Sequence, residues 1–122
     1  MKRILFAEEE SDALFYFKSY FEPAGYEVLF AVKSREAIAM ILETKPDVAI
    51  IDIWLNDGMR GLDVIKEVHE KAPSQKMIAY TLHETRDEEA KQAGARFCLH
   101  KVCGIKEIET AIETVIKENA AI

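Results

Sequence analysis

Acidic side chains follow two apolar runs of the sequence, and they are the groups best suited to chemistry. Residues 48–51 lead directly into Asp52, and residues 4–7 lead into Glu8, Glu9 and Glu10. An apolar run without polar alternation is typical of a strand buried on both faces of a parallel sheet. Because open α/β sheets bind ligands at the carboxyl ends of their strands, these carboxylates are candidate functional groups.

A hydroxyl and an ammonium group end two further apolar runs. Residues 77–80 lead into Thr81, and residues 97–100 lead into Lys101. Clustered carboxylates repel one another, and a divalent cation with a preference for oxygen ligands, Mg²⁺ or Mn²⁺, offsets that repulsion. Such a cation, a lysine and a hydroxyl suit a phosphoryl group, with Asp52 as the nucleophile that forms an acyl phosphate.

Strand and helix patterns alternate five times along the chain. Strands are expected over residues 4–7, 28–32, 48–52, 77–81 and 97–100, and helices over 11–22, 34–45, about 62–68, 85–94 and 105–116. The alternation predicts one α/β domain over residues 1–122. Its expected core is a doubly wound, flavodoxin-like five-stranded parallel sheet in an α/β/α sandwich, with strand order 2-1-3-4-5. Strands 1 and 3 are neighbours in that order, which gathers Glu8, Glu9 and Asp52 with Thr81 and Lys101 beside them.

Local patterns add expectations about single residues. Ser34 is predicted to cap the second helix, and Thr85 with Glu88 forms a predicted capping box for the fourth. In the first helix, Phe15 is predicted to point outward, whereas Tyr16 falls on the apolar stripe.

Composition excludes several classes of function. The chain has 122 residues, 49% hydrophobic and 31% charged, as expected of a soluble globular domain. A net charge of -6 argues against direct nucleic-acid binding, and no apolar run is long enough for a membrane span. No signal-peptide core is present, and Cys98 and Cys103 are expected to be reduced thiols, so a cytoplasmic location is predicted.

The strand 1 sequence ILFAEEE, the strand 3 sequence DVAIIDIWL, the Thr81 strand end and Lys101 together resemble the response-regulator receiver domain of two-component signalling. The resemblance covers the whole chain. It implies that a histidine kinase or histidine phosphotransfer protein phosphorylates Asp52, and that the chain is a switch rather than an enzyme. It also implies that Mg²⁺ (or Mn²⁺) is held by Glu8, Glu9, Asp52 and the backbone carbonyl of Trp54.

The same resemblance assigns the phosphoryl contacts and the output surface. Thr81, the backbone amide of Leu82 and Lys101 would contact the phosphoryl oxygens. Movement of Thr81 would then reshape the face formed by helix 4, strand 5 and helix 5, which would bind a downstream target or a second copy of the chain.

Three residues depart from the family pattern. Glu9 stands where the direct metal ligand is normally Asp, and its extra methylene displaces the carboxylate by about 1.5 Å. Since Mg²⁺ tolerates little distortion of its ligand geometry, weakened metal binding is predicted. Cys98 replaces the usual switch aromatic, and Val102 replaces the usual proline, so a trans Lys101–Val102 bond is expected.

Other classes of function remain open. A pseudo-receiver would keep the fold but act through protein contacts without phosphate. An FMN-binding flavodoxin is disfavoured because the three glutamates after strand 1 would repel the phosphate of FMN. A phosphatase of the double-aspartate type is also disfavoured, because it would need an acidic residue two positions after Asp52, where this chain has Trp54. A metal centre from Cys98, His100, Cys103 and His83 matches no closed zinc spacing, and His83 is otherwise a candidate modulator of phosphate hydrolysis.

Overall fold

The computed structural model describes residues 1–55, 57–81, 86–100 and 103–118. Within them, strands and helices alternate as the sequence predicts. The strands are β1 (Lys2–Ala7), β2 (Tyr26–Ala31), β3 (Val48–Asp52), β4 (Met77–Thr81) and β5 (Cys98–His100). The helices are α1 (Ser11–Phe21), α2 (Ser34–Thr44), α3 (Gly61–Lys71), α4 (Asp87–Ala93) and α5 (Ile105–Lys117).

The five strands form one parallel sheet in the order β2-β1-β3-β4-β5, which confirms the predicted topology. The central strands β3 and β4 are buried along their whole length. In the register of the sheet, Ala7 lies opposite Ile51, and Asp52 lies opposite Tyr80. The carboxyl ends of β1, β3 and β4 therefore meet at one edge.

Each face of the sheet carries its own hydrophobic core, because successive residues of a strand point to opposite sides. One core packs the sheet against α2, α3 and α4, and Ile51, Val64 and Ile65 lie in it. The other packs the sheet against α1 and α5 around Phe6 and Ile112. Helices therefore cover both faces of the sheet, which forms the middle layer of the sandwich.

Two local predictions were wrong. Ser34 does not cap α2: it is the first residue of that helix, Lys33 occupies the cap position, and the Ser34 hydroxyl is bonded to a distant loop. Tyr16 is 54% exposed, because the face of α1 that meets the sheet is narrower than the apolar stripe of its sequence. The outward orientation of Phe15 is confirmed, at 73% exposure.

Cys98 and Cys103 both carry free thiols, and burial raises the pKa of each. Across the described ranges, no helix combines the length and the apolar character that a membrane span requires.

Candidate functional site

The carboxylate of Glu8 is buried at the end of β1, with 1% of the residue exposed. Its Oε1 accepts a hydrogen bond of 2.6 Å from the Tyr80 hydroxyl, and its Oε2 accepts one of 3.0 Å from the backbone N–H of Glu9. The side chain of Glu9 is exposed. The two neighbouring acids thus occupy different environments, one fixed inside the pocket and one at its solvent edge.

Tyr80 was not among the predicted site residues. It is buried on the α1–α5 side of the sheet, where its ring meets that of Phe17 edge-on at 6.1 Å between centroids. Burial, followed by the charge of Glu8, raises the pKa of the Tyr80 phenol, which keeps the hydroxyl protonated as a donor. A tyrosine in the penultimate position of a buried strand was the available signal, because a buried phenol usually needs a partner.

Asp52 ends β3 and is 4% exposed. Its Oδ1 accepts a hydrogen bond of 2.9 Å from the backbone N–H of Trp54, which fixes the orientation of the carboxylate. The start of α3 packs directly behind it, since a β-carbon on Gly61 would overlap the Asp52 carbonyl oxygen. Only glycine permits this approach of helix to strand.

Trp54 carries two guanidinium groups over its ring. The Cζ atom of Arg60 lies 5.3 Å from the ring centroid, and that of Arg86 lies 5.4 Å from it. These are cation–π distances. Sequence analysis missed both arginines, because they come from separate loops and neither belongs to a recognisable motif.

The loop between β3 and α3 is tied to the start of α2 by Asp57. Its Oδ2 accepts a bond of 2.6 Å from the Ser34 backbone N–H, and its Oδ1 accepts one of 2.6 Å from the Ser34 hydroxyl. The Ser34 hydroxyl and then its backbone N–H hold the pKa of Asp57 below its usual range. This tether stabilises the segment that follows the candidate nucleophile.

Thr81 is fully buried at the end of β4, on the same edge of the sheet as Asp52 and Glu8. Several predicted features lie outside the described residues, namely Leu82, His83, Thr85, Lys101, Val102 and the Lys101–Val102 bond.

In the parts of the chain that are described, no three His, Cys, Asp or Glu side chains are grouped so as to hold a metal ion. The exposure of Glu9 agrees with this.

Five parallel strands in the order 2-1-3-4-5, alternating with five helices, are the fold of CheY-like receiver proteins. Residues 4–113 match the sequence profile of the response regulator receiver domain, and the chain belongs to that family. Receiver domains of this family are phosphoryl acceptors that act as phosphorylation-dependent switches in two-component signalling.

Some similar proteins are about as long as this chain, and others are about four times as long. The chain is 31% identical to the chemotaxis protein CheY of Thermotoga maritima over 119 residues, covering 95% of this chain and 98% of CheY. It is 28% identical to the regulatory protein LuxO of Vibrio cholerae over 113 residues, covering 91% of this chain but 25% of LuxO. The chain therefore spans about a quarter of the length of such regulators.

A solved structure agrees with these relationships. The solution structure of the beryllofluoride-activated NtrC4 receiver domain dimer superposes with a TM-score of 0.87 at 27% identity, covering 96% of this chain and 98% of that one.

Proposed function

We propose that residues 1–122 form one phosphoacceptor receiver domain, in which Asp52 takes a phosphoryl group from a histidine kinase or histidine phosphotransfer protein. The observation that carries this proposal is the Asp52 carboxylate itself. It is buried at the carboxyl end of the central strand, and the Trp54 N–H orients it. An oriented carboxylate among oxygen ligands is the group required to form an acyl phosphate.

The donor chemistry of the pocket fits Mg²⁺ or Mn²⁺, which prefer carboxylate and carbonyl oxygens. We assign the metal to Glu8, Glu9, Asp52 and the carbonyl of Trp54. When bound, the cation supplies positive charge that offsets the charge of the incoming phosphoryl group. Glu8 is held in place by Tyr80, whereas Glu9 must turn inward from its exposed position, so binding is expected to be weak.

Thr81, the backbone amide of Leu82 and Lys101 are assigned to the phosphoryl oxygens. Hydroxyl, amide and ammonium donors stabilise charge that develops on those oxygens. A change at Thr81 would be passed to the face formed by α4, β5 and α5, which we assign to a downstream target or a second copy of the chain. The domain would act in the cytoplasm as a switch and not as an enzyme in its own right.

Intact-mass measurement after incubation with acetyl phosphate and Mg²⁺ tests the proposal. We expect the mass of one phosphoryl group to be added to the wild-type chain, and none to the Asp52→Asn variant. Asp47→Asn is the matched control, because Asp47 precedes the same strand at the opposite edge of the sheet. Unmodified wild-type protein, or modification that persists in Asp52→Asn, would contradict the assignment.

One observation favours a second candidate, a pseudo-receiver that acts through protein contacts alone. Both Glu8 oxygens accept hydrogen bonds from the protein, and Glu9 is exposed. A pocket whose acids are used internally could keep the fold without binding metal. A wild-type chain that acquires no phosphoryl group from either acetyl phosphate or a phosphorylated phosphotransfer protein would establish this alternative.

A further inference from the structure

The indole of Trp54 joins the starts of two helices beside the candidate phosphoacceptor. Arg60 immediately precedes α3 and Arg86 immediately precedes α4, and each guanidinium lies within 5.4 Å of the ring centroid. The backbone N–H of Trp54 is bonded to Asp52 Oδ1 at 2.9 Å. One residue thus contacts the nucleophile through its backbone and both arginines through its ring.

The contact with the Trp54 ring should matter more for Arg86 than for a fully exposed arginine, because part of its guanidinium is buried. Its Nη1 pairs with Glu89 at 3.1 Å, whereas its Nε is shielded from solvent and meets no hydrogen-bond acceptor among the residues that the structure describes. Shielding a cation is costly unless another group offsets the lost hydration. Glu89 compensates the charge at Nη1, and the face of the Trp54 ring lies against the guanidinium as a second stabilising contact.

The next residue ties the same point of the chain to the last strand. Asp87 Oδ1 accepts a hydrogen bond of 2.9 Å from the backbone N–H of Cys98, and its Oδ2 pairs with Lys91 at 2.8 Å. The first turn of α4 is therefore held on one side to Trp54 through Arg86, and on the other side to β5 through Asp87.

We propose that Arg86 is a positioning residue that couples the Asp52 site to α4 and β5 through its stack on Trp54. The proposal rests on the proposed function, since Asp52 is the site of loading. A phosphoryl group or its mimic places up to about two negative charges beside Asp52. It also changes the acceptor that Trp54 N–H meets, and it attracts guanidinium groups, which bind phosphate oxygens strongly. Either effect alters the stack, and α4 begins at the next residue.

Hydrogen exchange of the α4 amides, residues 87–93, provides the test in wild type, Arg86→Gln and Arg60→Gln, each with and without Mg²⁺ and beryllofluoride. In the unloaded protein we expect Arg86→Gln to speed α4 exchange about fivefold, in line with the loss of one cation–π contact. We expect loading to change α4 exchange in wild type and in Arg60→Gln, and to have little further effect in Arg86→Gln. Arg60→Gln is the matched control because it removes an equivalent contact with the same ring from a different helix.

Fluorescence adds a signature that loosening of the helix alone would not produce, since Trp54 is the chain's single tryptophan. Arg86→Gln should alter the emission spectrum, and Arg86→Lys should restore only part of the wild-type behaviour, because an ammonium lacks the planar stack.

The proposal is overturned if unloaded Arg86→Gln exchanges like wild type, if both Gln variants behave alike, or if loaded wild type shows no change in α4. Failure of the wild-type chain to bind beryllofluoride would instead count against the proposed function, while the unloaded comparison still decides whether Arg86 holds α4.

Discussion

The chemistry of single residues in the pocket depends on how each carboxylate is hydrogen-bonded. Glu8 is buried with a phenol and a backbone amide as donors, and Asp52 is oriented by the Trp54 amide. Glu9 lies exposed beside them. Since a buried carboxylate needs donors to remain charged, the partners of Glu8 matter as much as the acid itself.

Removal of the Tyr80 hydroxyl should destabilise the protein. Tyr80→Phe keeps the ring and its packing on Phe17, but leaves a buried carboxylate oxygen without its 2.6 Å donor. The free energy of unfolding should fall by about 1–3 kcal/mol in urea denaturation. Tyr20→Phe is the control, because it removes a similar bond to Glu109 at a far more exposed site. A Tyr80→Phe variant no less stable than this control would show that Glu8 does not depend on the phenol.

Shortening Glu9 should strengthen metal binding. The side chain of Glu9→Asp is one methylene shorter, about 1.5 Å, and returns the carboxylate to the reach that a compact Mg²⁺ site requires. A Mg²⁺ titration followed by Trp54 fluorescence should show a higher affinity in the variant. Unchanged affinity would mean that the extra methylene has no effect on this pocket.

The hydrogen bonds between Asp57 and Ser34 should make the free energy of unfolding depend on pH. The pKa of Asp57 is lowered in the fold, so its contribution is complete above the ordinary value of 3.8 and is lost as the pH falls below it. At pH 7, Asp57→Asn should lower the free energy of unfolding by about 1 kcal/mol, because an amide cannot accept both Ser34 bonds. The difference between the two proteins should shrink as the pH falls from 3.8 through the lowered pKa of Asp57, because the native acid then becomes protonated as well. Denaturation curves at both pH values measure it, and a constant difference would contradict the assignment.

At the scale of secondary-structure elements, the site depends on how closely α3 approaches β3. The helix begins at Gly61, whose N–H donates to the Ile53 carbonyl at 3.1 Å. A β-carbon there would also lie 2.5 Å from Ile53 Cα. The position of Asp52 is therefore set partly by the residue at which α3 starts.

Gly61→Ala should push α3 away from β3 and displace Asp52. We expect a loss of about 1–3 kcal/mol in stability from overpacking, together with slower phosphorylation of Asp52 by acetyl phosphate. Gly104→Ala is the control, since nothing lies within 4 Å of a β-carbon at that helix start, and it should cost about 1 kcal/mol or less. Equal effects of the two substitutions would refute the packing argument.

At the scale of the whole molecule, one sheet is shared by two cores that lie on its opposite faces. Ile65 lies in the core with α2, α3 and α4, and Ile112 lies in the core with α1 and α5. Both side chains are fully buried. Because each core packs on the same strands, neither layer can detach without exposing the sheet.

Substitutions in the two cores should therefore act alike. Ile65→Ala and Ile112→Ala should each lower the free energy of unfolding by about 2–5 kcal/mol, and both variants should unfold in a single transition. Urea denaturation followed by circular dichroism and by Trp54 fluorescence measures this. Two separate transitions in either variant would show that the layers unfold independently.

The order of elements and the strand ends could be predicted from the sequence because they depend on local patterns. Apolar patterns located the strands and most of the helices, and a predicted capping box located α4. The strand order that is common for five such units then brought Glu8, Asp52 and Thr81 to one edge. The failures concern contacts between distant segments. Ser34 has the right type for a helix cap, but Asp57, 23 residues away, takes both of its donors. Nothing local to Ser34 could have indicated that.

The sequence by itself determined the alternation of strands and helices and which acids end buried strands, because these follow from the chemistry of neighbouring residues; the strand order followed from the topology that is common for five such units. Only the tertiary structure decided which partner each polar group takes: Tyr80 for Glu8, Asp57 for Ser34, and the Trp54 ring for Arg60 and Arg86. The physical reason is that hydrogen bonds and cation–π contacts act over a few ångströms. Their partners are fixed only when the packed sheet and helices bring remote loops together.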